Sequence, residues 1–87
     1  MNKTEMEIRI AEMILNFYEF CDYDITPQRS CDMAEMILNS WSSIKVSDFE
    51  KFTKEAKSGM FGMIYKSPAS FMTAFYTFKK MNVVMMP

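Results

Sequence analysis

The chain has 87 residues, two cysteines, no histidine and a net charge of −1. That length holds one domain, residues 1–87, which buries roughly 60–65% of the surface its unfolded chain exposes. Without histidine or a Cys-x-x-Cys pair, Cys21 and Cys31 make no zinc site unless carboxylates or a second chain join them. No cofactor is expected.

The N-terminus does not read as a signal peptide, because Glu5, Glu7, Arg9 and Glu12 interrupt its apolar residues. No apolar stretch reaches the length of a membrane span. The expected location is the cytoplasm, with no membrane partner and reduced thiols, at least one of them buried. The charge is divided unevenly along the chain. Residues 1–44 hold eight acidic and three basic side chains, and residues 45–87 hold three acidic and seven basic ones. Such a split speaks to partners and not to fold. Eight phenylalanines and eleven methionines promise a large-sided core. Methionine also suits an adaptable binding surface.

Thr4 and Glu7 have capping-box spacing, so a first helix is expected over 5–20, ending at Phe20 or Cys21. Met6, Ile10, Met13, Ile14, Phe17 and Cys21 form one stripe, and Ile8, Ala11, Leu15 and Tyr18 a neighbouring one. The combined face is wide enough to be contacted on more than one side. Residues 22–26 connect. Asp22, Asp24 and Asp32 lack the glycine and the terminal glutamate of a calcium loop and read as solvated carboxylates.

Thr26 as N-cap with Pro27 in the first turn starts a second helix over 27–40. Its expected face is Cys31, Ala34, Ile37 or Leu38, and Trp41. The hexapeptide AEMILN occurs at 11–16 and again at 34–39. The sequence around the two copies differs, so the plain reading is one buried helical pattern used twice. Residues 40–45 connect again, with Trp41 and Ile44 tacking the loop to the core.

Ser47 and Glu50 have capping-box spacing before a third helix over 48–58, with Val46 ahead of the cap. Phe49, Phe52 and Ala56 share its inner face, while Lys51, Lys54, Glu55 and Lys57 lie mostly away from it. Gly59 is the expected stop. The apolar run 60–65, broken by Gly62, should form a compact turn plus a short helical or extended piece that lays Phe61 and Ile64 into the core. Gly59 and Gly62 with Lys57 and Lys66 nearby could expose N–H groups to a phosphate. The spacing is not that of a P-loop, however, and punctuation is the better reading. Ser67-Pro68 opens a last helix over 68–81, with a stripe of Phe71, Phe75 and Phe78 joined by Met72, Ala74 and Met81. Asn82 is the expected stop. The apolar tail 83–87 either docks on the core or awaits a partner.

Lys57, Gly59, Gly62 and Tyr65 spell K-x-G-x-x-G-x-x-Y. With the helices on either side, this resembles small all-helical proteins of phages and mobile elements of Bacteroidetes-type bacteria. Met60, Met63 and the short apolar tail depart from the pattern. The resemblance implies a helical fold and carries no assigned activity to any residue. A phage origin would favour an accessory of replication or gene control, or an inhibitor of a host defence enzyme.

The expected fold is an all-α bundle of four main helices, about 5–20, 27–40, 48–58 and 68–81, with an extra turn near 61–66. The chain is not expected to be an enzyme: it has no histidine, and no nucleophile has a base at a telling spacing. Glu12, Glu19 and Glu35 read as solvated helix residues. The favoured function is a non-catalytic module that binds another protein or a second copy of itself, using Lys51, Lys54, Lys57, Lys66, Tyr76, Lys79 and Lys80. The alternative is a nucleic-acid accessory protein that adds Lys45 to those lysines, with Tyr18, Tyr23, Tyr65 and Tyr76 available for stacking. Against it stand the absence of arginine from residues 45–87 and of a helix rich in base-reading side chains.

Overall fold

The computed structural model of the chain describes residues 2–41 and 43–85, with side chains through residue 81. Its order is α1 (Lys3–Phe20), α2 (Pro27–Ser40), α3 (Val46–Lys57), a 3-10 turn (Ile64–Lys66) and α4 (Pro68–Met85). No strand occurs among the described residues.

α1 starts two residues before the Thr4 frame. The Asn2 side chain accepts the Glu5 N–H at 2.8 Å and donates to the Glu5 carboxylate at 3.0 Å. Asn2-x-x-Glu5 has the same spacing as Thr4-x-x-Glu7, and asparagine caps at least as well as threonine. The earlier frame wins because it lengthens the helix. At the other end, Asp22 takes φ 55°. The Asp22 N–H then bonds the Glu19 carbonyl at 3.1 Å, and the Tyr23 N–H bonds the Tyr18 carbonyl at 3.0 Å. These two bonds define a Schellman end built on a non-glycine residue. Tyr23 and Tyr18 supply its apolar contact, with ring centroids 6.3 Å apart.

α2 begins as expected. Thr26 Oγ1 accepts the Arg29 N–H at 3.1 Å, and Pro27 follows. Its inner face is Ser30, Met33, Ala34, Ile37 and Leu38, so both Ile37 and Leu38 go in. Cys31 does not. It is exposed, one residue off the stripe that runs Ser30–Ala34–Ile37, and Cys21 is only half-buried. The expectation of at least one buried thiol is met only in part, by Cys21, which packs partly buried against the core. In the AEMILN copies, Ala11 and Ala34 are buried, as are Ile14 and Ile37. Each closing asparagine accepts a lysine ammonium from another helix: Asn16 from Lys57 at 2.7 Å and Asn39 from Lys3 at 3.3 Å. Of the 40–45 connection, Ser42 lies outside the described residues. Ile44 is buried, and Trp41 lies edge-on to Phe75 at 4.9 Å.

α3 also starts two residues early. Ser47 caps nothing, and the Asp48 carboxylate accepts the Lys45 N–H at 3.4 Å in place of the expected Glu50–Ser47 pair. Lysine has no acceptor to complete the box. Phe49, Phe52, Thr53 and Ala56 face inward. Glu55 was placed away from the core by periodicity, yet it is half-buried, with one carboxylate oxygen covered and without a hydrogen-bond partner. Gly59 ends the helix at φ 88°. Its N–H bonds Ala56 O at 3.1 Å, and the Met60 N–H bonds Glu55 O at 3.3 Å. This is a second Schellman end, here on glycine. Gly62 follows at φ 74°, and Met63 at φ −87°, ψ 63° closes an inverse γ-turn through Ile64 N–H to Gly62 O at 3.0 Å.

Ser67 caps α4 by accepting the Ser70 N–H at 3.1 Å. Phe71, Phe75 and Phe78 form the buried stripe with Ala74, and Met72 is half-buried. Two expectations fail here. Met81 is 46% exposed, and the helix runs through Asn82 to Met85. Asparagine stops a helix only weakly, and no glycine or proline stands at 82–85. Docking of the tail's side chains lies outside the described residues.

α1 packs on α2 and α3, and α4 packs on the 3-10 turn. Aromatic rings join α4 to α3. Phe52 is the hub, with ring centroids 5.0–5.6 Å from Phe49, Phe61, Phe71, Phe75 and Phe78. The radius of gyration is 12.1 Å, against about 12 Å for a compact domain of this length. The extents of 39 × 30 × 18 Å describe a slab. It is two helices thick, since a helix with side chains measures about 10 Å across. A slab leaves broad outer faces.

Candidate functional site

The seven residues proposed for partner contact do not form one patch. Lys51 and Lys54 stand on the outer ridge of α3, opposite Phe49, Phe52 and Ala56, and both are exposed. Lys57 turns toward α1 instead. Its ammonium donates to Asn16 and lies 5.3 Å from the Phe20 ring centroid. Lys79 lies 3.9 Å from the Asp48 carboxylate at the start of α3. Asp48 and Lys57 are about 13 Å apart along the helix axis, so Lys57 and Lys79 serve different ends of the bundle. Lys66 is exposed at the close of the 3-10 turn, and Lys80 is exposed on α4. Tyr76 is 58% exposed, with its ring 6.3 Å from that of Trp41.

The phosphate cradle is absent as a free donor set. Gly59 N–H bonds Ala56 O, and Gly62 N–H bonds Gly59 O at 3.1 Å. The two left-handed glycines have another consequence. They fold the chain so sharply that Met60 and Met63 stay outside, at 57% and 60% exposure, while Phe61 and Ile64 turn in. Beside them lies a groove of about 470 Å³ between the 3-10 turn and α4, lined by Phe61, Met63, Ile64, Ala69, Thr73 and Thr77 among others. Sequence reasoning missed its α4 wall. The only signal was a run of small residues, Ala69, Ser70, Thr73, Ala74 and Thr77, on one side of a helix whose other side is phenylalanine. A second groove, of about 540 Å³, runs between α1 and α3 and is lined by Arg9, Glu12, Met13, Asn16 and Thr53. Its mixed charges favour no ligand class.

The two perturbed groups sit where α1 ends. Burial pushes the Tyr18 phenol up to about 12, with Cys21 and Tyr23 adding to the effect and Arg29 opposing it. Its hydroxyl is buried without a partner. Burial also raises the Cys21 thiol, partly offset by Lys57. A thiol held protonated is a poor nucleophile. No three cysteine or carboxylate side chains converge as metal ligands among the described residues. No helix is long and apolar enough to cross a membrane among them.

No protein-family model, curated protein or solved structure matches the chain.

Proposed function

We propose that this is a small non-catalytic protein-binding module of the cytoplasm, a phage-encoded modulator or inhibitor of a host protein. The phage origin in this reading rests on the Lys57–Tyr65 motif alone. The observation that supports binding is the groove beside the double-glycine turn. Met63 lines it and Met60 stands on the same turn, both large, apolar and exposed, held out by two left-handed glycines. Methionine repacks against varied partners. The test is a photo-crosslinker at position 63, offered to host lysate. The reading predicts one defined protein band that disappears when Thr73→Arg fills the groove. No band, or a band indifferent to Thr73→Arg, refutes it.

The nucleic-acid reading is the alternative, as an accessory of phage replication or gene control. The outer ridge of α3 favours it, since Lys51 and Lys54 stand about one turn apart there with Ser47 and Ser58 in line. Lys51, Lys57 and Lys79 already interact within the fold, so few phosphates could be met at once. Titration of labelled single- and double-stranded DNA at low and high salt separates the readings. Affinity that falls steeply with salt and is lost in Lys51→Glu/Lys54→Glu would replace the protein-binding reading.

A further inference from the structure

The groove belongs to a stretch of one-sided charge. Residues 56–87 contain four lysines and no aspartate or glutamate. Lys66 closes the 3-10 turn that forms one wall, and Lys80 follows Thr77 by three residues on the other. Phe61, Met63 and Ile64 give the groove an apolar side, Ser70, Thr73 and Thr77 line it with hydroxyls, and the two exposed lysines stand on the elements that form its walls.

A complementary surface stands on α1. Its outer ridge reads Glu5, Ile8, Glu12, Leu15, Glu19, with successive spacings of three and four. The three glutamates are exposed, Ile8 is 53% exposed and Leu15 is half-buried. The glutamates repeat every seven residues, as do Ile8 and Leu15. Such a seam presents an apolar line fringed by negative charge to whatever lies against it. The buried residues Ile10, Ile14 and Phe17 lie on the opposite face of α1, and of the ridge residues Glu12 also borders the α1–α3 groove.

We infer that the occupant of the groove is a second copy of this chain. The outer ridge of α1 from one copy lies in the groove of another, with Ile8 and Leu15 against Phe61, Met63 and Ile64 and the glutamates beside Lys66 and Lys80. This rests on the protein-binding reading and gives the groove to a second copy, which a host target would have to displace. Ridge and groove are different surfaces, so two copies exchange ridges reciprocally or the contact propagates. One ridge in one groove is smaller than a standard interface, as in weak and transient contacts. The charged rim makes it sensitive to salt.

Sedimentation velocity tests this on the whole chain. At low salt, wild type should exceed the monomer mass of 10.2 kDa increasingly between about 10 µM and 1 mM, a range chosen to bracket a small interface. About 0.5 M salt should return it to monomer. Lys66→Glu/Lys80→Glu and Glu12→Lys/Glu19→Lys should each be monomeric, and mixing them should restore association. All four positions are exposed, and circular dichroism verifies the fold of each variant. Thr73→Trp, which obstructs the groove without changing its charge, should also be monomeric. A wild type that stays at monomer mass throughout, or charge-reversed variants that associate as well as wild type, overturns the inference. So does a mixture that remains monomeric. A monomeric wild type that still yields a crosslinked partner at position 63 refutes self-docking alone, because the groove would then serve an acidic helix of another protein.

Discussion

Replacing Gly59 by alanine and Asp22 by glycine tests one backbone geometry from opposite directions. Both residues follow a helix in the left-handed region, at φ 88° and φ 55°, and both carry the paired hydrogen bonds of a Schellman end. A Cβ built on Gly59 meets nothing within 4 Å. The cost of Gly59→Ala is therefore conformational and not steric. An L-residue in that region costs about 1–2 kcal/mol. Alanine recovers about 0.4–1 kcal/mol by stiffening the unfolded chain. The expected net loss is about 1 kcal/mol, or about 4–8 °C in Tm for a domain of this size. At Asp22 the signs reverse. Glycine relieves the backbone and also removes a carboxylate from the negative end of α1, together a gain of about 0.5–1 kcal/mol. Asp22→Asn separates the two effects, because it removes the charge and leaves the backbone cost. Urea unfolding followed by circular dichroism and Trp41 fluorescence gives all three values. Gly59→Ala at or above wild-type stability, or Asp22→Gly below it, would refute the reasoning.

Phe52→Ala should cost about 3–5 kcal/mol by the same assay, as expected for a fully buried aromatic. Against a total of about 4–13 kcal/mol for this length, that is a large share of the stability. Tyr18→Phe should be neutral or stabilising by about 1 kcal/mol, since it deletes a buried hydroxyl without a partner. Its pH signature is separate. The folded phenol ionises at about 12, above its unfolded value near 10. That stabilisation is full below about pH 10 and is lost as pH rises toward 12. Base unfolding should therefore begin at higher pH in Tyr18→Phe than in wild type. Lys57→Met should lower stability by about 1 kcal/mol, because it breaks the hydrogen bond to Asn16. It should leave any DNA affinity unchanged.

The helix starts show which signals are legible in the sequence. Thr26-Pro27 and Ser67-Pro68 are placed correctly because a capping hydroxyl and a proline point to the same residue. At the other two starts, capping signals two residues apart compete. Asn2 with Glu5 competes with Thr4 and Glu7, and Asp48 folding back on Lys45 competes with Ser47 and Glu50. Periodicity begins too late to choose between them. The frame that wins lengthens the helix, and for α3 it also draws Val46 into partial burial. Gly59 reads correctly as a stop since only a left-handed residue was needed there. Asp22 in the same role did not, because aspartate serves loops and caps of many kinds.

The lysines were harder to read for a different reason. Helical spacing says which side of its own helix a residue occupies, and it placed Lys51 and Lys54 outward correctly. It says nothing about the neighbour on that side. Lys57 and Asn16 are 41 residues apart in sequence, and their hydrogen bond exists only once α3 lies across α1. Lys79 and Asp48 likewise meet only after α4 folds back along α3. A net charge counted along residues 45–87 treats such lysines as available, whereas tertiary packing has assigned them internal work. The outer ridge of α1 shows the converse. Its two apolar stripes read as a helix contacted on more than one side. In the fold, Ala11 and Tyr18 of the second stripe are buried while Ile8 is left outside with Glu5, Glu12 and Glu19. An isoleucine exposed among glutamates adds nothing to the core of a single chain. Within the proposed self-association it supplies the apolar contact, and Ile8→Lys should then abolish concentration-dependent mass while leaving the unfolding midpoint within about 0.5 kcal/mol of wild type. A large loss of stability in that variant would show that Ile8 works within its own chain, and the ridge would no longer be open to a second copy.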